Sequence, residues 1–236
     1  MLDGKDGVSP QDGKAETIRL KFSANIIPAT VQADSFTVEG FTVESIRATD
    51  KGGRIPGETL YRDGERNYIT VKVIAKEGTG FTPRVTQKLN TPIQDVNGES
   101  YSGISIKAID LAAPVITNAV FVDNGTGNVD AGDKIKITLS EKVSGSVDAL
   151  FNDFTLNNTL GDFSFESNDS FEVEDSVVTV TLGATTAGKL GANSTIIITS
   201  NASDISLTDI SGNKAKPGKK LDSTPLVIQI NGIPIN

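Results

Sequence analysis

The chain of 236 residues carries a net charge of −8, from 30 acidic and 22 basic residues, and contains neither Cys nor His. Without Cys there is no disulfide framework, thiolate zinc site or thiol nucleophile, and without His the commonest general base and metal ligand are missing. A bound metal would have to be a hard cation held by oxygen. Basic residues are scattered apart from a short stretch at 214–220, so no cationic stripe for nucleic acid is present. No apolar run approaches the roughly 18 residues of a membrane helix.

Residues 1–14 are rich in Gly, Asp and Lys and read as a loop, with no signal-peptide pattern. Ile18-Arg19-Leu20-Lys21-Phe22-Ser23 alternates apolar and polar residues, the pattern of a half-buried antiparallel strand. Pro28-Ala29-Thr30-Val31 suits the first turn of a short helix. Strands are predicted at 36–38 and 41–46, joined at Gly40. Lys51-Gly52-Gly53-Arg54 reads as a turn and 60–67 as a polar connection. Residues 68–73 form a strong strand pattern. The run 81–87 contains Pro83, which cannot donate to a ladder, and is predicted as an edge or bulged strand. Asp95-Val96-Asn97-Gly98 turns the chain into a last strand at 104–108.

The script then repeats. Residues 134–140 answer 18–23, 147–153 answer the Pro28 turn, and 154–156 answer 36–38. Further on, 177–182 answer 68–73, 195–199 answer 81–86, and Asp209-Ile210-Ser211-Gly212-Asn213 answers Asp95 to Gly98. The order is conserved at an offset of roughly 110 to 118 residues, which marks an internal repeat. Ile109-Asp110-Leu111-Ala112-Ala113-Pro114-Val115-Ile116 and Leu221-Asp222-Ser223-Thr224-Pro225-Leu226-Val227-Ile228 are matching junctions, each an Asp followed by Pro and an apolar run. The expected organisation is all-β: residues 1–110 and 111–222 as two tandem immunoglobulin-like Greek-key β-sandwiches of about seven strands each. Residues 223–236 are expected to start a further module or serve as a linker, so the chain reads as an excerpt of a longer polypeptide. The second module has a leading strand over 114–122, and the first shows nothing comparable before Asp3, so a first module lacking its own first strand, with a frayed or compensated edge there, is expected.

Leu20-Lys21-Phe22-Ser23, Pro28-Ala29-Thr30, Phe36-Thr37-Val38-Glu39-Gly40, Asp95-Val96-Asn97-Gly98 and Asp209-Ile210-Ser211-Gly212-Asn213 together resemble bacterial immunoglobulin-like domains. Such domains are strung in tandem along Gram-positive S-layer and other cell-surface proteins. The resemblance covers about Glu16 to Pro225. It implies a secreted spacer or lattice-forming module located in the cell wall or S-layer, often strengthened by calcium, whose partners are other copies of the parent protein and neighbouring modules. Neither an S-layer homology repeat nor a sortase motif is present, so the anchor is not assigned to this stretch.

The most suggestive cluster for a cation is Asp123-Asn124-Gly125-Thr126-Gly127-Asn128-Val129-Asp130-Ala131-Gly132-Asp133, where Asp123, Asn128, Asp130 and Asp133 are the candidate calcium ligands. Calcium takes six to eight oxygens in irregular geometry. The loop is not an EF-hand, because Lys134 stands where the bidentate Glu would be. The alternative is a long Asx-rich turn, since Asp, Asn and Gly dominate turns on their own account. In the two Asp-x-x-Gly turns a carboxylate capping backbone amides is expected, with a calcium role shared with Asp110 or Asp222 as the competing reading. Glu172, Glu174 and Asp175 read as a solvated hairpin.

Catalysis finds no motif: Ser has no His partner, no Gly-x-Ser-x-Gly elbow occurs, and the carboxylates are too dispersed to nominate a pair. A non-enzymatic structural module is therefore expected, with no nucleic acid and no membrane insertion. An adhesin or glycan-binding module is the alternative. Without Trp and with three Tyr, the chain offers few aromatic platforms for a sugar.

Overall fold

The computed structural model describes residues 2–3, 12–51, 66–199, 205–218 and 228–229. Its fold is all-β and sandwich-like, built of several small antiparallel sheets. Among the described residues helix is confined to the 3-10 turns Pro28–Thr30 and Val147–Asn152 and the short α-helix Ala184–Ala187. The chain divides into two compact units. One comprises Met1–Ser9, Lys14–Glu77 and Phe81–Leu111, and the other Pro10–Gly13, Gly78–Gly80 and Ala112–Asn236.

In the first unit one sheet runs in the order Leu2–Asp3, Lys14–Lys21, Tyr68–Glu77, Val43–Thr49. Ile18 lies opposite Val71 and Leu20 opposite Ile69, while Ile46 and Ala48 meet the same two residues from the other side. Because side chains alternate between faces, this register sends all six to one face. The other sheet runs Phe36–Val38, Arg84–Gln87, Ser105–Lys107. Phe36, Val38 and Val85 join Ile18, Leu20, Ile69 and Val71 in one buried cluster, so the core is filled by both sheets. Side chains of this size stabilise by about 1.5–3 kcal/mol each when fully buried.

Two expectations for this unit change. Arg84–Gln87 is the middle strand of its sheet, not an edge. Pro83 lies just before the ladder, where its missing N–H is not needed, and its carbonyl accepts the Ala108 N–H at 2.8 Å. The position ahead of Lys14–Lys21 is taken by a strand of two residues, with Leu2 opposite Thr17 and Asp3 opposite Ala15.

The second unit repeats the order with a longer leading strand: Ile116–Val122, Lys134–Leu139, Val177–Thr181, Ser170–Glu174. Its other sheet is Gly161–Phe163, Phe154–Asn158, Thr195–Ile198, Ile228–Gln229, and Val143–Ser144 pairs with Thr208–Asp209. Ile135, Ile137, Val178 and Val180 pack with Phe154, Leu156, Ile196 and Ile198 in one cluster. Phe165 and Phe171 meet edge to face at 5.2 Å, and Phe151 meets Phe171 at 4.9 Å, arrangements that the ring quadrupole favours. The Glu172–Asp175 hairpin tip is solvent-facing, and Asp175, at φ 50°, receives an ion pair from Lys142 at 2.7 Å. Ile228–Gln229, within the segment expected to start a further module, lies antiparallel to Thr195–Ile198, with Ile228 opposite Ile196.

Several sequence expectations fall wholly or partly outside the described residues: the 51–54 turn beyond Lys51, positions 60–65 of the polar connection, most of the opening loop, and the second junction with Asp222 and Pro225.

Candidate functional site

The acidic loop connects Ile116–Val122 to Lys134–Leu139. Asp133 is fully buried at its end. One of its oxygens accepts the Asn124 N–H at 2.8 Å and the other the Asp130 N–H at 2.8 Å. Asp123 accepts from the amides of Gly125 and Gly127, both at 2.9 Å, and of Thr126 at 3.1 Å. Asp130 accepts the Asn124 side-chain amide at 3.0 Å and the Thr126 hydroxyl at 2.8 Å. Asn128 donates its side-chain amide to the Thr126 carbonyl at 3.4 Å. The four residues nominated from sequence thus share one loop, and the carboxylates of Asp123, Asp130 and Asp133 are turned onto donors of that loop. These are the bonds of an Asx-rich turn, in which side-chain oxygens replace ladder partners. A cation here would share lone pairs already engaged. The Gly125 amide, first, holds the Asp123 carboxyl below its ordinary value of 3.8; burial pulls the other way, and the Gly127 and Thr126 amides add to the lowering.

The two Asp-x-x-Gly turns are built alike. In the first unit Asp95 Oδ1 accepts the N–H groups of Asn97 at 2.9 Å and Glu99 at 3.0 Å, and the Tyr101 hydroxyl donates to Oδ2 at 2.9 Å. In the second, Asp209 Oδ1 accepts the N–H groups of Ser211 at 2.8 Å and Asn213 at 2.7 Å, and the Asn213 amide donates to Oδ2 at 2.7 Å. Gly98 and Gly212 take φ of +87° and +86°, a region where a Cβ is penalised. This is the capping role expected of these Asp residues. Burial works to raise the Asp95 carboxyl, but the Tyr101 hydroxyl and the turn amides outweigh it and leave it below 3.8.

Asp209 has a second neighbour that the sequence does not reveal. Glu141 follows Lys134–Leu139, and the pairing of Val143 with Asp209 carries it inward. Both residues are buried, and one carboxylate oxygen of each lies within 4.8 Å of the other, in a group able to hold a metal ion. Glu141 accepts a short hydrogen bond from the Thr79 hydroxyl, which lies 2.8 Å from the Ser140 hydroxyl. A Cβ at Gly80 would stand 2.9 Å from Glu141 Oε2, so glycine lets the backbone approach. Like charges brought this close inside a protein repel. A hard cation would offset that, and carboxylate and hydroxyl oxygens are the donors it prefers. Asp110, the carboxylate that sequence offered at the first junction, is buried at the end of the first unit. Sequence periodicity cannot find Glu141, because a one-residue acidic step between strands carries no pattern.

Among the described residues no helix is long and apolar enough to cross a membrane. No protein-family model and no curated protein matches the chain, so the two repeated turns and the buried Glu141–Asp209 pair stand on their own geometry.

Proposed function

We propose that the chain is two tandem immunoglobulin-like Greek-key β-sandwiches that act as a structural module of a secreted surface protein, part of a self-assembling S-layer. The observation that carries this reading is the strand order common to both units. Leaving aside the two-stranded sheets Ile93–Gln94 with Ser100–Tyr101 and Val143–Ser144 with Thr208–Asp209, and the strand Gly161–Phe163, strands one, two, five and four in chain order form one sheet and strands three, six and seven the other. This order supports the reading, because a constant-type immunoglobulin domain distributes its seven strands between two sheets in the same way. The recurrence of the same carboxylate-capped turn at Asp95 and Asp209 supports descent from one repeated unit. In this reading the module has no catalytic role. Its strand ladders set spacing along the cell surface, and its exposed flanks meet other copies.

Calcium, in the same reading, stiffens the second unit at Glu141 and Asp209 and at the Asp123–Asp133 loop. Two experiments separate the parts. Electron microscopy of the purified chain, with and without added calcium, is expected to show ordered sheets or filaments; dispersed single particles under every condition would overturn the lattice role. Calorimetry before and after chelation is expected to show a lower melting temperature without calcium. Loss of that shift in Glu141→Gln, but not in Asp130→Asn, assigns it to the buried pair. The reverse assigns it to the loop, and no shift in the parent chain retires calcium.

A further inference from the structure

The two turns differ at one position that matters chemically: Asn97 precedes Gly98, whereas Ser211 precedes Gly212. An Asn-Gly pair can react with itself. The backbone nitrogen of the glycine attacks the side-chain carbonyl carbon of the asparagine; a C–N bond forms, the C–NH2 bond breaks, and the displaced NH2 leaves as ammonia with the glycine amide proton. Water then opens the five-membered ring at either carbonyl, leaving aspartate or isoaspartate. No reagent beyond water is needed.

The surroundings of Asn97 leave this path open. Its side chain is exposed and makes no hydrogen bond among the described residues. Nothing stands within 4 Å of where a Cβ at Gly98 would lie, so the peptide has room to rotate. The Gly98 N–H donates to the Asp95 carbonyl at 3.1 Å, the longest bond of the turn, and also faces the Asp95 carboxylate, so what sets this pair apart is the unheld side chain of Asn97. The other described Asn-Gly pair, Asn124-Gly125, is held on both sides. Its side-chain nitrogen donates to Asp130 at 3.0 Å and to the Ala131 carbonyl at 3.2 Å. Its reacting nitrogen, that of Gly125, donates to the Asp123 carboxylate at 2.9 Å. A hydrogen bond to a charged acceptor is roughly twice as strong as a neutral one, and the same charge disfavours loss of the amide proton.

We infer that Asn97 is a site of spontaneous deamidation, which converts the turn of the first unit to an aspartyl or isoaspartyl form that the Ser211 turn of the second unit cannot reach. The isoaspartyl product adds a methylene to the main chain between the Asn97 N–H and the Gly98 N–H, both of which the turn uses. The converted turn therefore loses its register on Asp95.

The test is peptide mapping of the intact chain after prolonged incubation in mildly alkaline buffer, with isoaspartate read by enzymatic methylation. The peptide containing Asn97 is expected to gain the mass of an NH2-to-OH exchange well before the peptide containing Asn124, and Asn97→Ser is expected to abolish the gain there. The Asn231-Gly232 pair is followed in its own peptide. No conversion at Asn97, or conversion at Asn124 as fast or faster, would overturn the inference.

Discussion

The turn at Asp95 and the turn at Asp209 make the same backbone bonds, yet a different third donor completes each. In the first unit the hydroxyl of Tyr101 reaches Asp95 Oδ2; in the second the amide of Asn213, four residues on, reaches Asp209 Oδ2. What the fold requires is a carboxylate with its oxygens filled, not a particular partner, because a buried carboxylate without donors is far more costly than the choice among donors. The sheets differ in a related way. The outer neighbour of Lys14–Lys21 is a strand of two residues, while that of Lys134–Leu139 has seven. Phe154–Asn158 also carries Gly161–Phe163 on its outer side. Among the described residues the second unit therefore covers more of its strand edges, and uncovered edges are where sheets pair with other chains.

The strongest way to break this comparison is to damage one core. Ile137→Ala, at a fully buried position, is expected to cost about 2–5 kcal/mol. In calorimetry it should lower a transition belonging to the second unit while Val71→Ala lowers the other. Both variants shifting one common transition would mean that the units unfold as a single body.

Next in size is the turn carboxylate. Asp209→Ala leaves the N–H groups of Ser211 and Asn213 without their acceptor and is expected to cost about 1–3 kcal/mol. Asp95→Ala should destabilise the first unit by the same mechanism. Tyr101→Phe should do so more mildly, with chemical denaturation as the measurement. A Tyr101→Phe variant as stable as the parent would show that the third donor is dispensable.

Smaller effects are expected at the turn glycines. Gly98→Ala and Gly212→Ala each place a Cβ at positive φ in open space, so conformational strain of about 1 kcal/mol is the whole penalty. Equal losses at the two sites would sharpen the claim that the turns share one geometry, whereas a loss at only one would break it.

The smallest effect is set by pH. Asp95 and Asp123 have folded values below the ordinary 3.8. Their contribution is therefore complete above the unfolded value and is lost as pH falls through the folded one. Melting temperatures followed from neutral to acid should stay level down to about pH 5 and fall below about pH 4. In Tyr101→Phe the folded value of Asp95 moves up towards the unfolded one, so the acid drop in the first unit should be smaller. A profile unchanged in that variant would remove the hydroxyl from the account.

Much of the architecture was legible from period-two alternation. Ile18, Leu20, Ile135 and Ile137 all occupy the buried face that their spacing implied, because a strand has two faces and an apolar residue on every second position can serve only one of them. The Asp-x-x-Gly turns were legible too, since Asp caps local amides and Gly alone accepts the left-handed angle without penalty. Local chemistry of this kind acts over a few residues and so leaves its mark in the sequence.

Only the tertiary structure could make Arg84–Gln87 a central strand, pair Ile228–Gln229 with Thr195–Ile198, or carry Glu141 to Asp209. Each of these joins residues far apart in the chain. Strand neighbours are chosen by closing the whole hydrophobic core, and a proline just outside a ladder looks, in sequence, the same as one inside it. Alternation determined which residues face inward; the packing of the sheets decided which strands, and which carboxylates, meet there.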